Sequence, residues 1–182
     1  MQNTKLRALT EGAIMVAIAQ LLSYFKLYEL PFGGSVTIAM VPIFLYCARW
    51  GLGQGLIASF AYALLQLFFD GAYAYTWQAM LLDYILAFTL LGTAGVFKNM
   101  KFGIFYGTIL GSVMRFLAHL LSGVYVWYEY MPDEFLGLTM NNVWIYSALY
   151  NSLYVGINML MALAIFGVLY KPLNKYMSLN LA

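Results

Sequence analysis

From Val143 to Tyr170 the chain runs without a single charged side chain, and shorter apolar runs recur all the way back to Leu9. About 20 apolar residues in a helix span the ~30 Å hydrocarbon core of a bilayer. A helix is one of few structures that can do so, because it satisfies its own backbone N–H and C=O groups. This repetition constrains the chain to an all-α, integral membrane bundle. Composition agrees: 64% of residues are hydrophobic and 9% charged, against ~25% charged in soluble domains.

Polar and helix-breaking residues divide the runs into six expected spans, at about 9–27, 36–50, 53–69, 77–97, 102–127 and 143–170, within one domain covering 1–182. The breaks are Pro31 with Gly33 and Gly34, a tight turn from Arg49 to Gly55, Asp70-Gly71, Pro132 to Glu134, and Lys171-Pro172. The first apolar run follows the short polar stretch Met1 to Arg7. No small-residue cleavage site and soluble domain follow it, so it reads as a membrane helix and not a removed signal.

Charge orients the bundle. With the N-terminus in the cytoplasm, Lys5, Arg7, Arg49, Lys98, Lys101, Lys171 and Lys175 all fall inside. Lys26 alone falls outside, and Arg115 lies within the fifth span. This is the positive-inside pattern, and six spans return the C-terminus to the cytoplasm. Glu29, Asp70, Glu129, Asp133 and Glu134 gather on the outer side, a field that favours approach of a cationic solute. A net charge of +2 gives no basis for nucleic-acid binding. Cys47, the sole cysteine, reads as a small buried hydrophobe.

Asp83, Arg115 and His119 lie at membrane depth, where a charge costs at least ~2.5–3.5 kcal/mol and normally faces a bundle interior or cavity. Two readings stand: an internal ion pair holding helices together, or a ligand site. Counting 1.5 Å per residue from the outer ends places Asp83 about 9 Å deep, and Tyr62, His119 and Asn151 about 12 Å deep. Four helices thus offer polar or aromatic groups at one level. Arg115, His119, Gly123 and Trp127 recur every four residues and share a face. Gly123 leaves space there or lets helices pack closely, and Trp127 could roof the space. Arg115 could pair with Asp83 or bond a ligand. On the last span Tyr146, Tyr150, Asn151, Tyr154 and Asn158 form a polar–aromatic wall, and Tyr73, Tyr75 and Trp77 make the loop after the third span aromatic. Aromatic faces stack on flat rings and attract cations. A carboxylate beside His, Asn and Tyr suits an amino-substituted heterocycle.

The chain has no phosphate-binding G-x-x-x-x-G-K-[ST] loop, no nucleophile elbow, and no metal-ligand spacing. No catalytic residue, cofactor or metal is expected. Inverted repeats of the kind that build self-sufficient transporters are absent, so a binding subunit that borrows its energy fits better. An intramembrane enzyme using Asp83 and His119 as acid and base, and a structural subunit with a buried Asp83–Arg115 pair, are the alternatives. Ala13 and Ala17 form a small-xxx-small pair near the cytoplasmic end, suited to internal packing or to another helix docking closely.

The same residues carry a family resemblance. Thr10-Glu11-Gly12-Ala13 with Ala17, Gly33-Gly34-Ser35-Val36 leading to Val41-Pro42-Ile43, and Leu82-Asp83-Tyr84-Ile85-Leu86-Ala87-Phe88 are its first segments. Arg115-Phe116 with His119, Ser122-Gly123 and Trp127, then Tyr146-Ser147 with Asn151, complete it. Across nearly its whole length the chain resembles the thiamin-specific substrate-binding subunits (S-components, the ThiT or YuaJ family) of energy-coupling-factor transporters. The resemblance implies an S-component-type six-helix bundle with an outward-facing thiamin site. In it Asp83 contacts the aminopyrimidine, Tyr84, His119, Tyr146 and Asn151 are polar or aromatic pocket positions, Trp127 stacks on the ligand, and Gly123 lies in the floor. Tyr62 and Tyr73 align with further aromatic positions. It also implies a transmembrane coupling protein, docked at Ala13 and Ala17, and two cytoplasmic ATPases. The chain departs from some relatives in having Asp83 for Glu, Tyr62 for Trp, and Phe32 but no Trp in the first outer loop. Another flat vitamin such as riboflavin is the competing ligand; being neutral, it gives Asp83 no cation to meet.

Overall fold

A computed structural model describes residues 4–31, 33–71 and 75–178; Phe32 and Tyr73 lie outside these. The six longest helices are α1 (Thr4–Ser23), α2 (Met40–Trp50), α3 (Leu52–Asp70), α4 (Trp77–Phe97), α5 (Gly103–Tyr125) and α6 (Val143–Ser178), and a 3₁₀ turn at Tyr128–Tyr130 follows α5. Among the described residues, five of them, α1, α3, α4, α5 and α6, are long and apolar enough to cross a membrane. The sixth, α2, has only 11 residues. The expected second span began at Val36, but Ser35–Val36 (β2) instead pairs antiparallel with Tyr28–Glu29 (β1). Gly33 and Gly34 supply the positive φ angles, 93° and 85°, that turn this hairpin. A second hairpin joins Glu134–Phe135 (β3) to Leu138–Thr139 (β4) between α5 and α6. Its two central residues, Leu136 and Gly137, both have positive φ, as tight hairpin turns require.

Close helix contact is bought with small residues. Gly51 alone separates α2 from α3; its φ of 83° ends α2 and its N–H closes on the Cys47 carbonyl at 2.8 Å. A Cβ on Gly92 would lie 2.6 Å from the Leu56 backbone, and one on Gly95 would collide with Gly51. The lower half of α4 therefore packs backbone to backbone on the start of α3. Without a hydrophobic drive between helices in lipid, such contact is a main source of association. The winding of α4 changes along its length: Met80–Leu86 is a π-helix and Leu90–Phe97 a 3₁₀-helix. Both departures are short-range features, and π segments recur at functional sites.

The helix bounds differ from the sequence reading mainly at the ends. α1 begins at Thr4 and stops at Ser23, whose hydroxyl bonds the Gln20 carbonyl. α5 ends at Tyr125, so Trp127 lies beyond it. α6 continues through Pro172, where an end was expected. Its last turn is anchored: the Tyr176 hydroxyl donates to Glu11 at 2.9 Å, and the Arg49 guanidinium lies 4.2 Å from the Tyr176 ring and bonds its carbonyl. These contacts hold α6 in place beyond Pro172, whose missing N–H forfeits one backbone bond. Arg49, 1% exposed, pairs with Glu11 at 2.8 Å, and Trp50 donates to the same carboxylate. The start of α1, the end of α2 and the end of α6 are thus clamped at one end of the bundle.

Candidate functional site

At the opposite end, α4, α5 and α6 enclose a cavity of about 130 Å³, roofed by the glycines of the β1–β2 turn. One water site needs only ~10–15 Å³ on this measure, so the space admits a ligand. Asp83 and Tyr84 enter from the π segment of α4, Arg115, His119 and Gly123 from α5, and Tyr146, Ser147, Tyr150, Asn151 and Tyr154 from α6. Trp127 and Tyr130 close in from the segment after α5, and Gln66 and Asp70 from the end of α3.

Asp83 organises the polar wall. Its Oδ2 accepts from the Ser122 hydroxyl at 2.6 Å and the Trp127 indole at 2.8 Å; its Oδ1 faces His119 Nδ1 at 3.0 Å. Arg115 Nε donates to His119 Nε2 at 3.2 Å. Arginine nitrogens only donate, so Nε2 accepts and Nδ1 bears the hydrogen that goes to Asp83. Arg115 and Asp83 thus meet through His119 and not directly. The guanidinium also donates to Met40 Sδ and stacks 4.4 Å from the Phe88 ring centre. A carboxylate has about four lone-pair positions. Three donors occupy it here, leaving room for a further N–H from a ligand.

The aromatic wall follows helical spacing. Tyr146, Tyr150 and Tyr154 recur every four residues on α6, with ring centres 5.8 Å and 6.4 Å apart, and Phe135 of β3 stacks edge-on against Tyr146. Tyr154 donates to Asn151 Oδ1 at 2.7 Å, and the Asn151 amide bonds the Ser147 and His119 carbonyls. Tyr75 and Tyr130 flank Trp127, at 6.1 Å and 5.6 Å. The Tyr84 hydroxyl donates to the Asp70 carbonyl. Across the mouth Tyr150 bonds the carbonyls of Pro31 and Gly33. Lys26 ties the first loop to α3, bonding Glu29 at 2.9 Å and Asp70 at 3.1 Å. Partial burial works against the Lys26 charge, but the two carboxylates outweigh it and raise its pKa.

The structure gathers Asp83, Tyr84, Arg115, His119, Gly123, Trp127, Tyr146 and Asn151 about one cavity. Tyr62, 1% exposed, stands one layer back, edge-on to Phe88 at 5.4 Å. Tyr73 lies outside the described residues. Gly123 combines both roles weighed for it: it lines the cavity, and a Cβ there would strike Ser147 Oγ across the α5–α6 contact. Trp127 reaches the cavity by the chain turning back after α5, its N–H bonded to the Ser122 carbonyl, and not by continuing the helical stripe. Ser122 and Ser147 were not singled out as site residues. Their signal was spacing: Ser122 lies one turn beyond His119, and Ser147 one turn before Asn151. Ala13 and Ala17 are exposed on α1, on the side away from Gly12, Val16 and Ala19.

Comparison with known proteins agrees with this architecture. The chain is 32% identical to the thiamine transporter ThiT of Bacillus subtilis, over 85% of each chain. It is 26% identical to ThiT of Lacticaseibacillus paracasei, over 92% of this chain and 89% of that one. A solved ThiT structure from Listeria monocytogenes superposes with a TM-score of 0.84 at 24% identity, covering 96% of this chain and 99% of the other; it shares the fold. Residues 9–178 match the family described as thiamine transporter protein (Thia_YuaJ), and the chain belongs to that family.

Proposed function

We propose that this chain is the thiamin-binding S-component of an energy-coupling-factor transporter, holding thiamin against Asp83. The observation that carries the reading is the Asp83 carboxylate, fixed by Ser122, His119 and Trp127 with an acceptor position to spare, inside an aromatic cavity. Thiamin offers what this arrangement lacks: amino N–H groups for the carboxylate, a flat cationic ring for the aromatic wall, and no need for chemistry. The chain is a transport protein of the membrane and not an enzyme. The positive-inside pattern opens the cavity to the exterior and puts both termini, and the Glu11–Arg49–Tyr176 clamp, at the cytoplasmic face. There Ala13 and Ala17 meet the transmembrane coupling protein, which carries two ATPases.

Thiamin titration of the purified protein in detergent, followed by tryptophan fluorescence and calorimetry, tests the reading. Saturable one-to-one binding of thiamin, without binding of riboflavin, supports it; silence towards thiamin in both assays refutes it. Asp83→Ala and Trp127→Ala are each expected to weaken binding at least tenfold, about 1.4 kcal/mol.

A further inference from the structure

Every nitrogen of the His119 ring is already spoken for. Nδ1 gives its hydrogen to Asp83, and Nε2 takes one from Arg115 Nε. Arg115 keeps its charge under all conditions proteins meet. A proton on Nε2 would therefore face an arginine N–H at 3.2 Å, donor against donor. That excludes the imidazolium and the Nε2–H tautomer alike. Asp83 excludes the tautomer from its own side, but by itself it would favour the imidazolium. Burial of His119, 7% exposed, disfavours the charged ring as well; without Arg115 that burial and the Asp83 carboxylate pull in opposite directions, and no donor blocks a proton at Nε2.

We propose that Arg115 is a positioning residue that holds His119 neutral, so that a permanent cation replaces a titrating one beside Asp83. The cavity's charge then stays fixed across the pH range in which histidines switch. His119 has no N–H or lone pair left for a ligand, and meets one only through its ring. Asp83 remains an acceptor whose partners do not change with pH. The other ionisable groups around this set are Tyr84 from α4, Tyr146, Tyr150 and Tyr154 from α6, the last with its ring 5.6 Å from His119, Tyr62 from α3, and Asp70 at the end of α3, which pairs with Lys26. The phenols do not titrate near neutrality. From α2, Met40 accepts from Arg115.

His119 is the chain's single histidine, so ¹⁵N-histidine labelling gives one imidazole to observe by NMR. Between about pH 6 and 8, the wild-type spectrum is expected to show one protonated and one bare ring nitrogen, unchanged. A wild-type imidazole that titrates in this window, or carries its hydrogen on Nε2, overturns the proposal. Arg115→Met is expected to make the imidazole titrate in the same window; a ring that stays neutral in the folded variant likewise overturns it. The binding readout rests on the thiamin reading: wild-type affinity is expected to vary less than about twofold from pH 6 to 8, and that of Arg115→Met at least threefold. Thiamin failing to bind wild-type protein refutes the thiamin reading, while the NMR result still decides the role of Arg115.

Discussion

Replacing Asp83 by Asn changes almost nothing in shape and everything in hydrogen-bond polarity. Asp83 receives three donors: the Ser122 hydroxyl, the Trp127 indole and the His119 imidazole. An asparagine must turn its NH₂ towards one side. Turned to His119 it meets an N–H that cannot move to the other nitrogen, because Arg115 occupies that one. Turned to the opposite side it meets Trp127, which can only donate. Either way a donor is stranded, a buried one at His119 or a half-buried one at Trp127, at about 1–3 kcal/mol of stability. Binding loses more. A cation within roughly 8 Å of the carboxylate gains about 2 kcal/mol at an effective dielectric near 20. Exchanging a charged acceptor for a neutral one costs about 1 kcal/mol further. Together these predict thiamin affinity lower by about 100-fold, read by calorimetry, with a lower thermal unfolding midpoint. Affinity within threefold of wild type and an unchanged midpoint would show that Asp83 is neither an anion in this network nor the ligand's acceptor.

Ser122→Ala removes one charge-assisted bond to Asp83 and should weaken thiamin binding about tenfold and lower the unfolding temperature, by about 1.5–3 kcal/mol of stability. Gly123→Ala forces α5 away from Ser147; overpacking of this kind costs about 1–3 kcal/mol, so thermal stability and affinity should fall together. Arg49→Met, at the far end of the bundle, leaves Glu11 short of its buried partner and should lower stability by about 2–3 kcal/mol while thiamin affinity is retained, separating clamp from cavity in one unfolding and one binding experiment.

The long apolar runs made the helices readable, and spacing on α5 and α6 made much of the cavity lining readable with them. Arg115 and His119 lie one turn apart in any helix, so their shared face follows from number alone. The same is true of Tyr146, Tyr150 and Tyr154. What spacing could not convey was winding. Counting 1.5 Å per residue treats α4 as uniform, whereas Asp83 sits in a π segment and a 3₁₀ stretch follows. The short α2 was also hidden, because Val36 to Ala39 is apolar enough to extend a helix, yet β2 claims the backbone of Val36. Pro172 misled for the converse reason: the local rule predicts an end, and contacts from Glu11 and Arg49, distant in sequence, hold the helix together. The role of His119 as a link between Arg115 and Asp83 required knowing which atoms meet, which no spacing gives.

The relay from Asp83 through His119 to Arg115 also bears on how the protein enters lipid. Asp83 belongs to α4 and Arg115 to α5. Inserted alone, each helix would carry an unmatched charge into hydrocarbon, at about 2.5–3.5 kcal/mol on the scale set by the translocation machinery. Residues 98–102 are all that separate the two helices, so the pair can leave the translocon as a helical hairpin with its opposite charges already bridged. The arrangement that fixes the polarity of the cavity thereby favours biogenesis of α4 and α5 as one unit, and a variant lacking either charge should show its first defect in membrane insertion yield, before any vitamin is present.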